Sequence, residues 1–418
     1  MADAEALHRA LVDGLISRRC ITDPRVEAAF RAVPRHLFLP SLAPEEAYRN
    51  VAIPTKLVNG EAVSSSSQPE IMATMLEQLG LEPGHRVLEI GAGTGYNAAL
   101  MAHLVGSAGE VTTIDLDEDL VDGARAHLAS AGFDRVRVEL GDGALGCPAA
   151  APFDRIILTV GAWDISPAWR RQLGRNGRLV LPLAVAGTQK SIAFAHAGDG
   201  LASLSVRECL FMPLRGAFAA SPPRVALGDG PGLHLYVSDP AGVDPVAAHT
   251  LVKGAPADHS TGVRATGSEV YAGLVPWTAL RESEFCWLEA TGAEADAGAV
   301  PYLYGVAGKY RSAAGVFEGT SAGFFMRPPS DAYPSEPEPE PKPFELYVRG
   351  FGDGALDDRL RQHARAWDAA GRPTSSGLRI RALPIDATYA PNAGEHVVEK
   401  RWTRLVLDWP RNARDKVQ

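Results

Sequence analysis

Apolar residues recur at helical spacing near the start of the chain. Leu7, Leu11, Leu15 and Ile16 fall on one side of a predicted helix over 4–17. A second helix begins near Pro24, a residue suited to a first turn, and carries Val26, Ala29, Phe30 and Val33 on one side. Pro34 and Pro40 then impose an extended, turning segment. A run of four serines, Ser64–Ser67, leads through Gln68-Pro69 into a helix over 70–79. Beyond residue 85 the period changes. Short aliphatic runs near 86–90, 111–114, 136–140 and 155–160 alternate with helical stretches near 97–105, 118–130 and 167–173. Strands and helices in that order build a mostly parallel sheet covered on both faces. Residues 178–182 add a strand, and a late pair near 190–196 and 205–213 is expected as the antiparallel edge.

After Gly216 the texture shifts to short apolar runs broken by glycines, such as His234-Leu235-Tyr236-Val237 and Phe285-Cys286-Trp287-Leu288. Residues 330–343, SDAYPSEPEPEPKP, are acidic and proline-alternating; they supply no core and read as a spacer or surface strap. The strand Phe344–Val348, a helix over 355–370 and strands near 378–383 and 396–409 complete the chain. In the last strand Thr403, Leu405, Leu407 and Trp409 share one face. These closing elements form either a small α+β unit or part of a sheet shared with 224–320. The expected organisation is an N-terminal helical segment over 1–80 and an α/β core over 81–216. An α+β region over 217–329, the linker 330–343 and a terminal α+β unit over 344–418 follow.

At 418 residues the chain exceeds one comfortable core, which agrees with several domains. A formal charge of -9, with no basic block interleaved with aromatics, argues against a nucleic-acid surface. Cys20, Cys147, Cys209 and Cys286 share no metal-like spacing and read as thiols, so no metal site is expected. The first residues lack the basic start and apolar core of a signal peptide, and no apolar stretch is long enough to span a bilayer. A cytoplasmic protein without membrane attachment is expected.

The chemistry concentrates in residues 86–96, RVLEIGAGTGY. A buried strand runs into Gly91, Gly93 and Gly95, which let the backbone turn sharply and approach a ligand that a Cβ would block. The helix that follows presents its N-terminal end to that ligand. One strand further on, Asp115 stands where an acidic residue holds the hydroxyls of an adenosine ribose, with Leu116 beside it. The glycine pattern alone suits a dinucleotide or S-adenosylmethionine (AdoMet). Glu89, inside the first strand, can order the loop or meet a methionine ammonium. Asp142, delivered with Gly143 by the third strand, can accept from an adenine amino group. Both favour AdoMet, with Thr94 completing the loop.

Taken together, Val33-Pro34-Arg35 to Phe38, Ser65-Ser66-Ser67-Gln68-Pro69, the Glu89–Tyr96 loop, Gly141-Asp142-Gly143, Gly177–Pro182 and Phe211–Gly216 resemble the protein L-isoaspartyl O-methyltransferase family over roughly residues 5–216. The resemblance implies a Rossmann-like α/β AdoMet-dependent methyltransferase. It also implies that a hydroxyl before the pre-helix proline contacts the carboxylate receiving the methyl group. Here that residue is Ser67, with Ser65 as a second donor and Val63 and Ser64 alongside on the substrate strip. Serines replace the family's usual run, Trp163 stands where small residues are common, and residues 217–418 follow where repair enzymes usually stop.

That layout resembles long actinobacterial relatives that methylate an aspartate in a ribosomally made modified peptide such as a lanthipeptide, lasso peptide or graspetide. The ester then closes to an aspartimide. The implied partner is the modified precursor peptide carrying the target aspartate, gripped by 217–418; repair of isoaspartyl protein is the alternative. Trp163 would shape the acceptor pocket or the core, and residues 217–418 offer a dimerisation surface as the other use of that region. Ser67 itself has a competing role as a cap on the 70–79 helix.

Overall fold

Asp3 starts α1 (Ala4–Ser17) by accepting from the Glu5 amide, and Asp23 does the same for α2 (Pro24–Ala32), with Pro24 in its first turn. A tight turn, Arg35–Phe38, follows. Next comes a hairpin for which the sequence analysis predicts no element: β1 (Ile53–Val58) pairs antiparallel with β2 (Glu61–Ser66). Asn59 and Gly60, both at positive φ, turn it. Asn-Gly is the pair such two-residue turns select, so the signal was present. α3 (Pro69–Leu79) then stops at Gly80, in the left-handed conformation.

The computed structural model describes residues 3–220, 223–228, 230, 232–296, 300–331 and 342–410. Its alternating part comprises β3 (Arg86–Ile90), α4 (Tyr96–Val105), β4 (Glu110–Asp115), α5 (Glu118–Ser130), β5 (Arg137–Leu140), β6 (Phe153–Leu158), α6 (Pro167–Gln172) and β7 (Leu173–Val185). These strands lie in the order β5-β4-β3-β6-β7 and pair in parallel. Val87, Leu88 and Ile90 are all buried, as a parallel sheet covered on both faces requires. The strand order reverses between β3 and β6, which opens a crevice at the carboxyl ends of the strands.

β8 (Thr188–Ala197) and β9 (Gly200–Glu208) extend the sheet and pair antiparallel with each other. They are not its edge. Strands Arg379–Pro384, Thr403–Asp408 and His396–Glu399 continue it outward in that order, with Arg381 and Ala382 opposite Ala202 and Leu201. Ile380, Ala382, Leu405 and Leu407 are buried there.

The chain accordingly divides into two units. Met1–Val185, Gln189–Ala220 and Arg379–Gln418 form the first, Ala186–Thr188 and Ser221–Leu378 the second. The expected domains are corrected on three counts. Residues 1–80 are not a separate segment, because Leu11 and Phe30 share one core with Leu100 and Met101 of α4. Residues 344–418 are not one unit: Phe344–Phe351 pairs with Ala257–Ala265 and Ser321–Met326 in the second sheet, whereas Arg379 onward returns to the first. The expected final strand over 396–409 is two strands paired antiparallel. Apolar alternation is equally strong in all these stretches, and it does not state which sheet edge a strand meets.

The second unit is an eight-stranded antiparallel sheet with a helix, Ala355–Ala369, against it. Leu356, Leu360, Ala364 and Trp367 recur along one helical face and are buried with Leu288, Val316 and Phe324 in a core of this unit's own. Removing a side chain the size of Leu360 from water contributes about 2 kcal/mol. Of the expected linker 330–343, residues 332–341 lie outside the described residues. No described helix is long and apolar enough to cross a membrane.

Candidate active site

Where the strand order reverses, the glycine loop after β3 lines a cleft of about 690 Å³. Gly91 and Ala92 both donate their amides to the Ile114 carbonyl, at 2.9 and 3.1 Å, which laces the loop to the neighbouring strand. Gly91 sits at φ +102°, and a Cβ there would come within 2.6 Å of the Thr159 hydroxyl. Gly93 and Thr94 also line the cleft. Gly95 does not. A Cβ on it would press against Leu128 and the Ala124 carbonyl, so it sets how closely α4 approaches α5. α4 begins without a side-chain cap, leaving first-turn amides for an anionic group.

Asp115 ends β4 with both oxygens engaged. Oδ2 accepts from the Gly93 amide at 2.9 Å and Oδ1 from the Leu116 amide at 2.8 Å. Each oxygen keeps a further acceptor site, and both Asp115 and Leu116 line the cleft. Glu89 is fully buried; Oε1 accepts from Asn97 Nδ2 at 2.7 Å and Oε2 from Thr113 Oγ1 at 2.6 Å. Burial pushes its carboxyl up to about 7, while these two hydrogen bonds pull the other way. These contacts tie Glu89 to the first turn of α4 and to β4, and Glu89 also lines the cleft. Asn97 Oδ1 is a buried acceptor with no partner among the described residues, and Asn97 lines the cleft.

Asp142 departs from expectation. Its Oδ1 accepts from the Ala144 amide at 2.9 Å and its Oδ2 from the Ala217 amide at 2.7 Å. The carboxylate stands outside the cleft lining and ties two loops together, while its neighbour Gly143 lines the cleft. Asp-Gly here is foremost a turn.

The acceptor side follows from chain direction. α3 runs away from the cleft, and Gln78 near its end donates to the Ser191 carbonyl at 3.2 Å and the Ser205 hydroxyl at 3.0 Å, on β8 and β9. β9 runs toward the cleft, so Arg207 to Leu210 arrive on the same wall as Ser67, Gln68 and Ile71. Asp115 lies across β3 from them. Ser67 lines the cleft, and nothing among the described residues hydrogen-bonds its hydroxyl. The cap position of α3 is Gln68, with no side-chain bond, so Ser67 does not cap the helix. Ser65 and Val63 line the same wall. Ser64 lines it too, but its hydroxyl accepts from Thr55 at 3.1 Å within the hairpin.

Of the two places expected for Trp163, the acceptor pocket is ruled out: it does not line the cleft. Its Nε1 donates to the Phe218 carbonyl at 2.9 Å and its ring packs on Phe218 and Trp402. Its partners lie far along the chain, where no local pattern reveals them.

Sequence reasoning also passed over three features. Arg35, fully buried, donates to the carbonyls of Arg49, Val51, Ser66 and Ser67, the last at 3.0 Å, and so fixes the strip carrying Ser67. Burial lowers its guanidinium to about 10. Thr159 donates to the Gly91 carbonyl at 2.7 Å. Finally, Asp117 accepts from Arg215 at 3.1 and 2.9 Å and from Lys56 at 2.7 Å, joining the hairpin, the start of α5 and the segment after β9. Proline spacing around Arg35 hinted at a fixed turn; the scattered charges carried no signal.

The Cβ-free cradle, the uncapped helix start, the carboxylate at the end of β4 and the unpartnered Asn97 oxygen suit the carboxylate, ammonium and ribose of AdoMet. When bound, that group supplies a methyl on a sulfonium. Gly91, Gly93 and the start of α4 would hold its amino-acid end, and Asp115 its ribose. A family profile for protein-L-isoaspartate(D-aspartate) O-methyltransferase matches residues 6–218. A protein-L-isoaspartate O-methyltransferase of Roseiflexus castenholzii is 39% identical over 211 residues, covering 50% of this chain and 93% of the relative. Protein-L-isoaspartate O-methyltransferase 2 of a Polaromonas species is 41% identical over 198 residues, covering 46% and 89%. A solved protein-L-isoaspartate O-methyltransferase structure superposes with a TM-score of 0.48 at 21% identity, covering 90% of this chain and 96% of the other. The chain belongs to the protein-L-isoaspartate(D-aspartate) O-methyltransferase family and is an AdoMet-dependent carboxyl O-methyltransferase.

Proposed function

We propose that the protein methylates the free carboxylate of isoaspartyl residues in peptides and proteins, as the names of its relatives suggest. The observation that carries this reading is one cleft lined by both Asp115 and an uncommitted Ser67 hydroxyl. A free carboxyl with a pKa near 4 is already ionised at neutral pH, so no strong general base is needed. Bound AdoMet would supply the methyl group to a carboxylate oxygen, with the thioether as the leaving group and a methyl ester as the product. The protein's part is alignment at contact distance. Ser67 donates to the oxygen that does not attack, and Ser65 is the second donor on the same wall. Arg35 fixes the backbone that presents Ser67. The substrate is then any exposed peptide bearing the altered linkage, and the protein works in the cytoplasm, where its four free cysteines stay reduced.

A second reading keeps the aspartate of a ribosomally made modified peptide as acceptor, with the ester closing to aspartimide. Its support is the second unit, Ser221–Leu378, with a core of its own outside the family-matched residues. Two peptides differing only in α- or β-linkage at one aspartate separate the readings. Turnover of the β-linked peptide alone is the expected result. Methylation confined to a macrocyclic precursor would favour the second reading, and absence of turnover on every isoaspartyl peptide would overturn the first.

A further inference from the structure

The family match ends at residue 218, yet the unit that holds the cleft takes in residues from Arg379 onward. Between its last two strands the chain turns back onto the ends of β6 and β7. Lys400 Nζ donates to the Ala184 carbonyl at 3.1 Å, and the Trp402 amide donates to Asp164 Oδ2 at 2.7 Å. Asp164 is fully buried, and its Oδ1 accepts from the Ile165 amide at 2.7 Å. These bonds fix the Trp402 backbone and aim its ring. That ring stacks on Phe218, with centroids 5.0 Å apart and planes 16° from parallel. Phe218 is buried and also meets Trp163 at 5.2 Å and Trp169 at 5.1 Å.

Three links run from this cluster to the loop after β5. Trp169, fully buried, donates Nε1 to the Gly143 carbonyl at 2.8 Å, and Gly143 lines the cleft. Ala217, the residue before Phe218, donates to Asp142 Oδ2, whose other oxygen holds the Ala144 amide. Ser166, two residues beyond Asp164, donates to the Ala144 carbonyl at 2.8 Å. Gly216 makes the close approach feasible: it sits at φ +87°, and a Cβ there would fall within 2.6 Å of Asp142 Oδ2. The cleft wall beside β5 is therefore backed by a tryptophan from the far end of the chain.

We propose that Trp402 is a positioning residue for the cofactor site: by backing Phe218, and through it Trp169, it holds Gly143 on the cleft wall after β5, where the nucleoside end of AdoMet would lie. The proposal does not depend on which carboxylate is methylated. It is tested in the full-length chain with Trp402→Ala and Trp402→Phe, using calorimetric titration with S-adenosylhomocysteine and steady-state kinetics. Trp402→Ala is expected to weaken that ligand about fivefold to tenfold and to raise the KM for AdoMet, with the KM for the acceptor peptide unchanged. Trp402→Phe keeps a ring against Phe218 and is expected to stay within about twofold of wild type. If Trp402→Ala yields no soluble protein, Phe218→Leu is expected to show the same selective loss. Unaltered affinity in a folded variant with a lowered melting temperature would overturn the proposal. So would equal losses toward cofactor and acceptor, or failure of Trp402→Phe to restore binding.

Discussion

Ser67 and Glu89 show how differently two polar residues of one cleft are used. Ser67 has no protein partner for its hydroxyl among the described residues, and a donor to a charged acceptor contributes about 1.5–3 kcal/mol. Ser67→Ala should therefore lower kcat/KM for the acceptor about 10- to 100-fold while leaving cofactor affinity nearly unchanged. Parallel losses in both would assign Ser67 to folding instead. Glu89 is committed to the frame, and its raised pKa makes a stability statement. Because the folded value, about 7, lies above the ordinary 4.5, folding favours the protonated form. The associated stability is present below about pH 4.5 and is lost as pH rises to 7. Between those limits the ligand-free protein should lose about 3 kcal/mol more than Glu89→Gln does, measured by urea unfolding at a series of pH values. Identical slopes would contradict the assignment. The placing of Gly91, Gly93 and Asp115 at the cleft was legible in sequence because their demands are local, positive φ, close approach and a strand end, whereas Gly95 spaces two helices instead. The partners that hold Asp142 and Trp163, namely Ala217, Phe218 and Trp402, are distant in the chain and leave no local signal.

The hairpin β1–β2 matters most among the elements. It carries Ser64 and Ser65 to the cleft and forms a sheet of only two strands, which is marginal unless tied down. The tie is Lys56, which reaches Asp117 at 2.7 Å and Asp119 at 2.6 Å, while Arg215 holds Asp117 from the other side. Lys56→Ala should release S-adenosylhomocysteine roughly threefold faster in stopped-flow displacement, and raised salt should do the same to wild type by screening the pairs. A release rate indifferent to both would show that the hairpin does not restrain the bound molecule. Helices over 4–17, 70–79, 97–105 and 118–130 were readable from spacing and end signals. The hairpin has a turn signal in Asn59-Gly60, but its strands are largely exposed and show no regular apolar alternation.

Across the whole molecule, sequence order and spatial order part company after residue 216. The second sheet and its helix interrupt the first unit, whose sheet is finished only by residues 379–408. Period-two alternation revealed these strands without their partners, which is why the extension read as one recognition region. A fragment ending at Ala220 would leave β9 as an unpaired edge and remove the buried Ala382, Leu405 and Leu407. It should aggregate or fail to bind S-adenosylhomocysteine; a soluble fragment that binds this ligand would show that the first unit folds without residues 379–408. Among the described residues, one cleft is lined both by residues suited to a methyl sulfonium donor and by a hydroxyl suited to an ionised aspartyl-type carboxylate. The most direct measurement incubates the full-length protein with AdoMet and a synthetic isoaspartyl peptide and follows peptide mass. One added methyl group is expected on that peptide, removed by mild base as an ester and strongly reduced with Ser67→Ala. An unmodified peptide, under conditions where the protein demonstrably binds the cofactor, would contradict it.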